Sequence, residues 1–123
     1  MSYIERHTVS VTTIADGSAT AYSPVVTGRV LQCRYVKTDY ADTVDFTITA
    51  EATGETIWAE ENVTASATRA PRQATHTTAG VAALYAGGGA AVLDHVAVAR
   101  DRIKIVLANG GNVTTGTFHF IIG

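Results

Sequence analysis

Four histidines, His7, His76, His95 and His119, stand among eleven carboxylates, the residue types that hold a transition metal or move a proton. No HxH or HxxxH spacing brings two of them together, so no metal site is expected. Asp94-His95 needs a serine to complete a nucleophilic triad, and the serines at positions 2, 10, 18, 23 and 66 include none in a GxSxG elbow. Gly87-Gly88-Gly89 is followed by no Lys-Ser or Lys-Thr that would make it a phosphate cradle. Glu51, Glu55, Glu60 and Glu61 surround Thr53-Gly54, where solvation of a hairpin tip accounts for them without a glycosidase pair. Cys33 lies between Leu31 and Tyr35 on an apolar face and reads as a small buried hydrophobe. As the single cysteine it closes no disulfide within the chain. The sequons Asn62-Val63-Thr64 and Asn112-Val113-Thr114 carry little weight, because Met1 to His7 shows no basic stretch followed by an apolar run and no secretory signal is expected. The expectation is a protein that is not an enzyme, with no catalytic residue, cofactor or metal.

What remains are groups suited to contact. Arg69 and Arg72 flank Ala70-Pro71 in a weakly patterned stretch, an arrangement suited to a docking arm that meets carboxylates on a neighbour. Trp58 follows Ile57 in a strand-like run, so one of the two faces the core and the other is free for a contact; Trp is enriched at interfaces. Leu84 and Tyr85 are the large apolar residues of the Ala/Gly-rich run AGVAALYAGGGAAV. The candidate interface residues are therefore Trp58, Arg69, Arg72, Leu84 and Tyr85. His7 and His119, at opposite ends of the chain, fall on strands that could pair.

The elements that must position these residues follow from composition and period. The chain has 123 residues, with 19 Thr, 14 Val and 8 Ile, so a third of it is β-branched and favours strands. Period-two alternation runs from His7 to Ile14, with Val9 and Val11 on one face. Asp16-Gly17 supplies hairpin chemistry, Ala19 to Tyr22 would return antiparallel, and Pro24 should end that strand or lie on an edge. RVLQCRYVK places Leu31, Cys33 and Tyr35 inward; TVDFTITA does the same for Val44, Phe46, Ile48 and Ala50. Thr53-Gly54 closes a hairpin into Glu55 to Ala59. After Glu60 the pattern fades, with a short strand expected at Gln73 to Thr77 and a helix conceivable over Gly80 to Ala86. It returns in RIKIVLA and TFHFIIG, joined by Asn109-Gly110-Gly111-Asn112. The predicted core is Leu31, Cys33, Val44, Phe46, Ile48, Ile103, Ile105, Leu107, Phe118 and Phe120. Seven or eight short antiparallel strands with no helix to cover them point to an all-β, single-domain β-sandwich or jelly roll. The stretch from about residue 65 to 92 reads as a Gly/Ala-rich arm or long loop whose order depends on a neighbour.

A formal charge of -2 and 16% charged residues give no basis for electrostatic nucleic-acid binding. No apolar run approaches the ~18 residues of a membrane helix. Neither nucleic acid nor membrane is expected as a partner.

From Ala41 to Gly123 the segments ADTVDFTITAEATGETI, APRQATHTTAGVAALYAGGG and DRIKIVLANGGNVTTGTFHFIIG resemble a small virion structural protein of tailed bacteriophages. The likeness spans the last two thirds of the chain, and its motifs are turns and core positions, with no catalytic residue to carry over. It implies a component of a phage particle made in the bacterial cytoplasm. Joined to the sandwich reading, it suggests a capsid decoration or cement protein on the capsid exterior that binds the major capsid protein lattice or other virion proteins, itself a dimer or trimer. A head-tail connector or tail component is the alternative within that class. A carbohydrate-binding sandwich using Tyr22, Tyr40 or Tyr85 is the alternative outside it.

Overall fold

The computed structural model describes residues 4–123; Met1 to Tyr3, and with them part of the secretory-signal reading and Ser2, lie outside the described residues. The β-branched segments form eight strands: β1 (Glu5–Thr12), β2 (Ala19–Lys37), β3 (Asp45–Ala50), β4 (Thr56–Glu60), β5 (Ala67–Arg69), β6 (Arg72–Ala74), β7 (Leu93–Ala108) and β8 (Thr115–Ile122). All pairings are antiparallel, in the order β1-β8-β2-β7-β3-β4, with β5 also on β2 and β6 also on β7. No helix occurs among the described residues. The sheet folds onto itself as a small β-sandwich. Phe46 of β3 and Phe118 of β8 are three positions apart in the strand order, yet their ring centroids are 5.0 Å apart. A flat sheet would hold them roughly 14 Å apart at the usual strand spacing.

Two long strands make that folding possible. β2 merges what the sequence reads as two strands, and Pro24 lies inside it. At Ser23-Pro24 an extra residue bulges opposite Ile103, and the Ile103 amide donates to the Ser23 hydroxyl at 2.9 Å. A side-chain oxygen thus replaces the ladder acceptor where the strand is irregular. On β7 the compensating bulge lies at Arg100, which has a positive φ of 50° and donates its amide to Thr27 Oγ1 at 3.0 Å. Gly28 on the facing strand has φ +144°, and a Cβ there would stand 2.9 Å from the Ile122 side chain. Asp101, buried beside these bulges, accepts the amides of Ala52 (2.9 Å) and Arg102 (2.8 Å). Both strands bend here, so the first half of β2 pairs with β7 and its second half with β8.

Bulges also explain where alternation misleads. Leu31 is half-buried and is not a core residue: it is the extra residue between Val30 and Gln32 opposite β8, and Val30 takes the inward position. Ile57 and Trp58, expected on opposite faces, are both buried, because Ile57 is the extra residue where β4 meets Ile48 and Thr49. The other nine predicted core residues are buried. Asp16-Gly17 does turn the chain, with Gly17 N bonded to Ile14 O at 2.9 Å. It does not make the expected hairpin: β1 pairs with β8, and β2 begins against β7. The Gly17 carbonyl instead accepts the Gly110 amide at 2.9 Å, locking the turn to the loop between β7 and β8. The Thr53-Gly54 hairpin forms as expected between β3 and β4.

The core is aromatic at one end. Tyr35 packs on Tyr40 (5.9 Å), Phe46 (4.8 Å) and Phe118 (5.4 Å). The Tyr40 ring fills the space a side chain at residue 116 would need, which accounts for Gly116. Its hydroxyl donates to the Val11 carbonyl, whereas the Tyr35 hydroxyl is buried with no hydrogen-bond partner among the described residues. Burial pushes the Tyr35 phenol up to about 12. The two tyrosines should respond oppositely to loss of the hydroxyl, since a satisfied buried group is costly to remove and an orphaned one is not. Tyr40→Phe is expected to lower unfolding free energy by about 1–2 kcal/mol and Tyr35→Phe to leave it unchanged or raise it, measured by urea denaturation. Equal losses for both would contradict this core geometry.

Candidate functional site: a projecting arm

β6 leaves the sandwich immediately after the buried Pro71 and pairs with the start of β7, Arg72 opposite His95, Gln73 opposite Asp94 and Ala74 opposite Leu93. The ribbon continues outward through the Thr75 amide to the Val92 carbonyl (2.9 Å). Beyond it the chain makes two tight reversals. One is closed by Thr77 N to Val81 O (2.8 Å); the other, around Gly87-Gly88-Gly89, by Tyr85 N to Ala90 O (3.0 Å). Ala83 ties them together, donating to Thr75 O and accepting from Val92 N.

The helix conceivable over Gly80 to Ala86 is absent. That stretch has glycines on both sides and no apolar stripe to bury, and each interior Gly costs a helix about 1 kcal/mol relative to Ala. Short β-bridges, His76 with Ala82 and Leu84 with Ala91, take its place. The arm is also shorter than the sequence suggests. Ala67 to Arg69 form β5 on the main sheet, so the projecting part begins at Arg72.

The arm satisfies much of its backbone but buries almost no side chain. Tyr85 is 75% exposed, Val81 62%, Leu93 53% and Leu84 42%. Leu84 and Tyr85 thus lie where the sequence places candidate contacts. Val81 and Leu93 join them; an isolated Val and a strand-start Leu gave no pattern by which to find them. Arg72 is exposed at the arm's base, its guanidinium donating to the Pro71 carbonyl at 2.9 Å.

Trp58 and Arg69 belong elsewhere. Trp58 is 6% exposed and packs edge-on to Phe46 at 5.2 Å, so its ring meets the core and is not free to anchor a partner. Its indole N–H donates to Glu60 Oε1 at 2.9 Å. Arg69 grips the same carboxylate with two bonds, 2.8 and 3.0 Å, and lies 5.8 Å from the Trp58 ring centre. This bidentate pair fastens β5 to β4. Arg69 above all, then the Trp58 indole, hold the Glu60 carboxyl below its ordinary range.

The remaining candidates separate. β1 and β8 do pair, but His7 stands opposite Phe120 and His119 opposite Thr8, so the two imidazoles occupy opposite faces of the sheet. Among the tyrosines of the carbohydrate alternative, Tyr40 is buried, Tyr22 lies beneath the Arg102 guanidinium at 4.1 Å, and Tyr85 is on the arm. They form no row of exposed rings. Among the described residues no three His, Cys, Asp or Glu side chains gather as a metal site would require. In comparison with known proteins, no family model and no curated protein matches the chain.

Two outcomes follow from this layout. Because Trp58 is the single tryptophan, its fluorescence should report protonation of Glu60 in a step below the ordinary Glu value of about 4.3, and Glu60→Gln should remove that step. The stability contributed by this depressed carboxyl is complete above the ordinary value and is lost as pH falls through the folded-state value. Because the arm adds little to the core, replacing residues 75–92 by a short Gly-containing turn should shift the thermal midpoint by less than about 4 °C, the effect of roughly 1 kcal/mol in a small domain. A much larger fall would show the arm to be part of the core.

Proposed function

We propose that this protein is a non-enzymatic structural subunit of a bacteriophage particle, a decoration or cement protein that binds the major capsid protein lattice from the outside. The observation that carries the reading is the arm, in which Val81, Leu84, Tyr85 and Leu93 are exposed on a ribbon that has no core of its own. Large apolar side chains exposed on a projecting element suit burial against a neighbouring subunit. The resemblance of residues 41–123 to small phage virion proteins supplies the kind of particle. Sparse charge, 16% of residues, lowers the desolvation cost of such contacts. Many weak contacts repeated over a lattice then add through avidity. A head-tail or tail position is the second reading, carried by the same arm.

Mass spectrometry of purified particles should find the protein at a copy number comparable to the capsid protein. A copy number of about six or twelve, as in a ring, would favour the connector reading. Absence from particles would overturn both. Hydrogen exchange adds a test at residue level: amides of residues 75–92 should exchange fast in the free subunit and slowly in the particle. Equal protection in the two states would contradict the arm's role.

A further inference from the structure

The outer face of the half-sheet formed by β1, β8, β2 and β5 carries a groove of about 330 Å³, independent of the arm and of the virion reading. It is lined by the apolar Val36 and Ile121 and by Arg6, Arg34, His119, Gln32 and Thr68. Strand register builds it: Arg34 stands opposite His119 on one side and Thr68 on the other, while Arg6 and Gln32 flank Ile121. Two guanidiniums and an imidazole therefore line an apolar strip, and among the described residues no carboxylate lines it, in a chain whose formal charge is -2. Elsewhere on the surface Arg69 and Arg102 are held by Glu60 and Glu51. Among the described residues neither Arg6 nor Arg34 has a carboxylate partner. Arg34 is nonetheless aimed, donating to Thr68 Oγ1 at 2.9 Å, and His119 is aligned by Thr8 at 3.1 Å.

We infer that this groove is a binding site for an extended acidic segment of a partner polypeptide. Charge complementarity selects the acidic occupant, since a planar guanidinium pairs with a carboxylate through two parallel hydrogen bonds. The apolar lining selects a chain with hydrophobic side chains between its acids: alternate residues of an extended segment would present carboxylates to Arg6 and Arg34 and an aliphatic group to Val36 and Ile121. An acidic polysaccharide is the weaker fit, because among the described residues no Trp, Tyr or Phe ring lines the groove to stack on a sugar face.

The test uses the full chain and a short fluorescein-labelled peptide repeating Glu-Ser-Val-Ser, whose extended form presents glutamate and valine in turn on one face, followed by fluorescence anisotropy. The same peptide with lysine for glutamate and a sulfated oligosaccharide serve as the other probes. The glutamate peptide should bind, more weakly as salt is raised, and the lysine peptide should not. The double variant Arg6→Gln/Arg34→Gln should weaken binding by about tenfold or more, while Lys104→Gln, a charge removed from outside the groove, should leave it unchanged. Both variants replace surface side chains; an unaltered circular dichroism spectrum and thermal midpoint would assign the loss to the groove, and the single variant Arg6→Gln, on the edge strand, gives the same reading without disturbing Arg34 and Thr68. Equal binding of the two peptides, or binding indifferent to both arginines, would overturn the proposal. Tighter binding of the sulfated oligosaccharide than of the glutamate peptide would overturn the assignment of a polypeptide.

Discussion

Everything in this molecule passes through the bend shared by β2 and β7. These two strands pair from Ala19 to Val30 across two bulges, near Ser23-Pro24 and at Arg100, and β8 takes up β2 from Val30 onward. Beyond the bend β2 leads to β8, β1 and β5, while the other end of β7 leads to β3 and β4. Bending a strand breaks its regular ladder, and broken ladder groups are costly when buried. Here side chains replace the lost acceptors: the Ser23 hydroxyl for Ile103, Thr27 for Arg100 and the Asp101 carboxylate for Ala52 and Arg102. The bend allows one sheet to supply both layers of the sandwich, and it leaves the first residues of β7 free to carry the arm away from the core.

The core was legible where the sequence alternates without interruption. Phe46, Ile48, Ile103, Ile105, Leu107, Phe118 and Phe120 all occupy inward positions of regular strands and are all buried. Leu31 and Ile57 were misread because a bulge adds one residue and turns every later side chain over. Nothing local marks those bulges, which arise from fitting one strand against another. Pairing partners were hidden for a similar reason. Asp16-Gly17 has the composition of a hairpin turn, but whether the flanking strands pair depends on contacts with residues a hundred positions away, as β1 with β8. The arm lay between these cases: absence of pattern located it, and its backbone bonding could not be read from Ala and Gly alone. The groove was beyond reach, since Arg6, Arg34 and His119 come together only through that same long-range pairing.

The arm and the sandwich follow different physical rules. The sandwich buries its aromatic cluster and so has a reason to fold as it is, alone. The arm holds its shape by backbone bonds exposed to water, each of small net worth, against the entropy of ordering three consecutive glycines. Covering Val81, Leu84, Tyr85 and Leu93 would supply the apolar burial the arm lacks. A part that gains order and burial together is suited to joining subunits, because its ordering is coupled to assembly.

We propose that a bend in two strands aims this arm at a neighbouring subunit. Electron microscopy of the proposed phage particle at side-chain resolution tests it most directly. The account predicts density for residues 72–95 seated on an adjacent capsid protein, with Leu84 and Tyr85 covered and the bend at Ser23 to Gly28 unchanged. An arm standing free in solvent, or a sandwich that meets its neighbours through other surfaces alone, would contradict it.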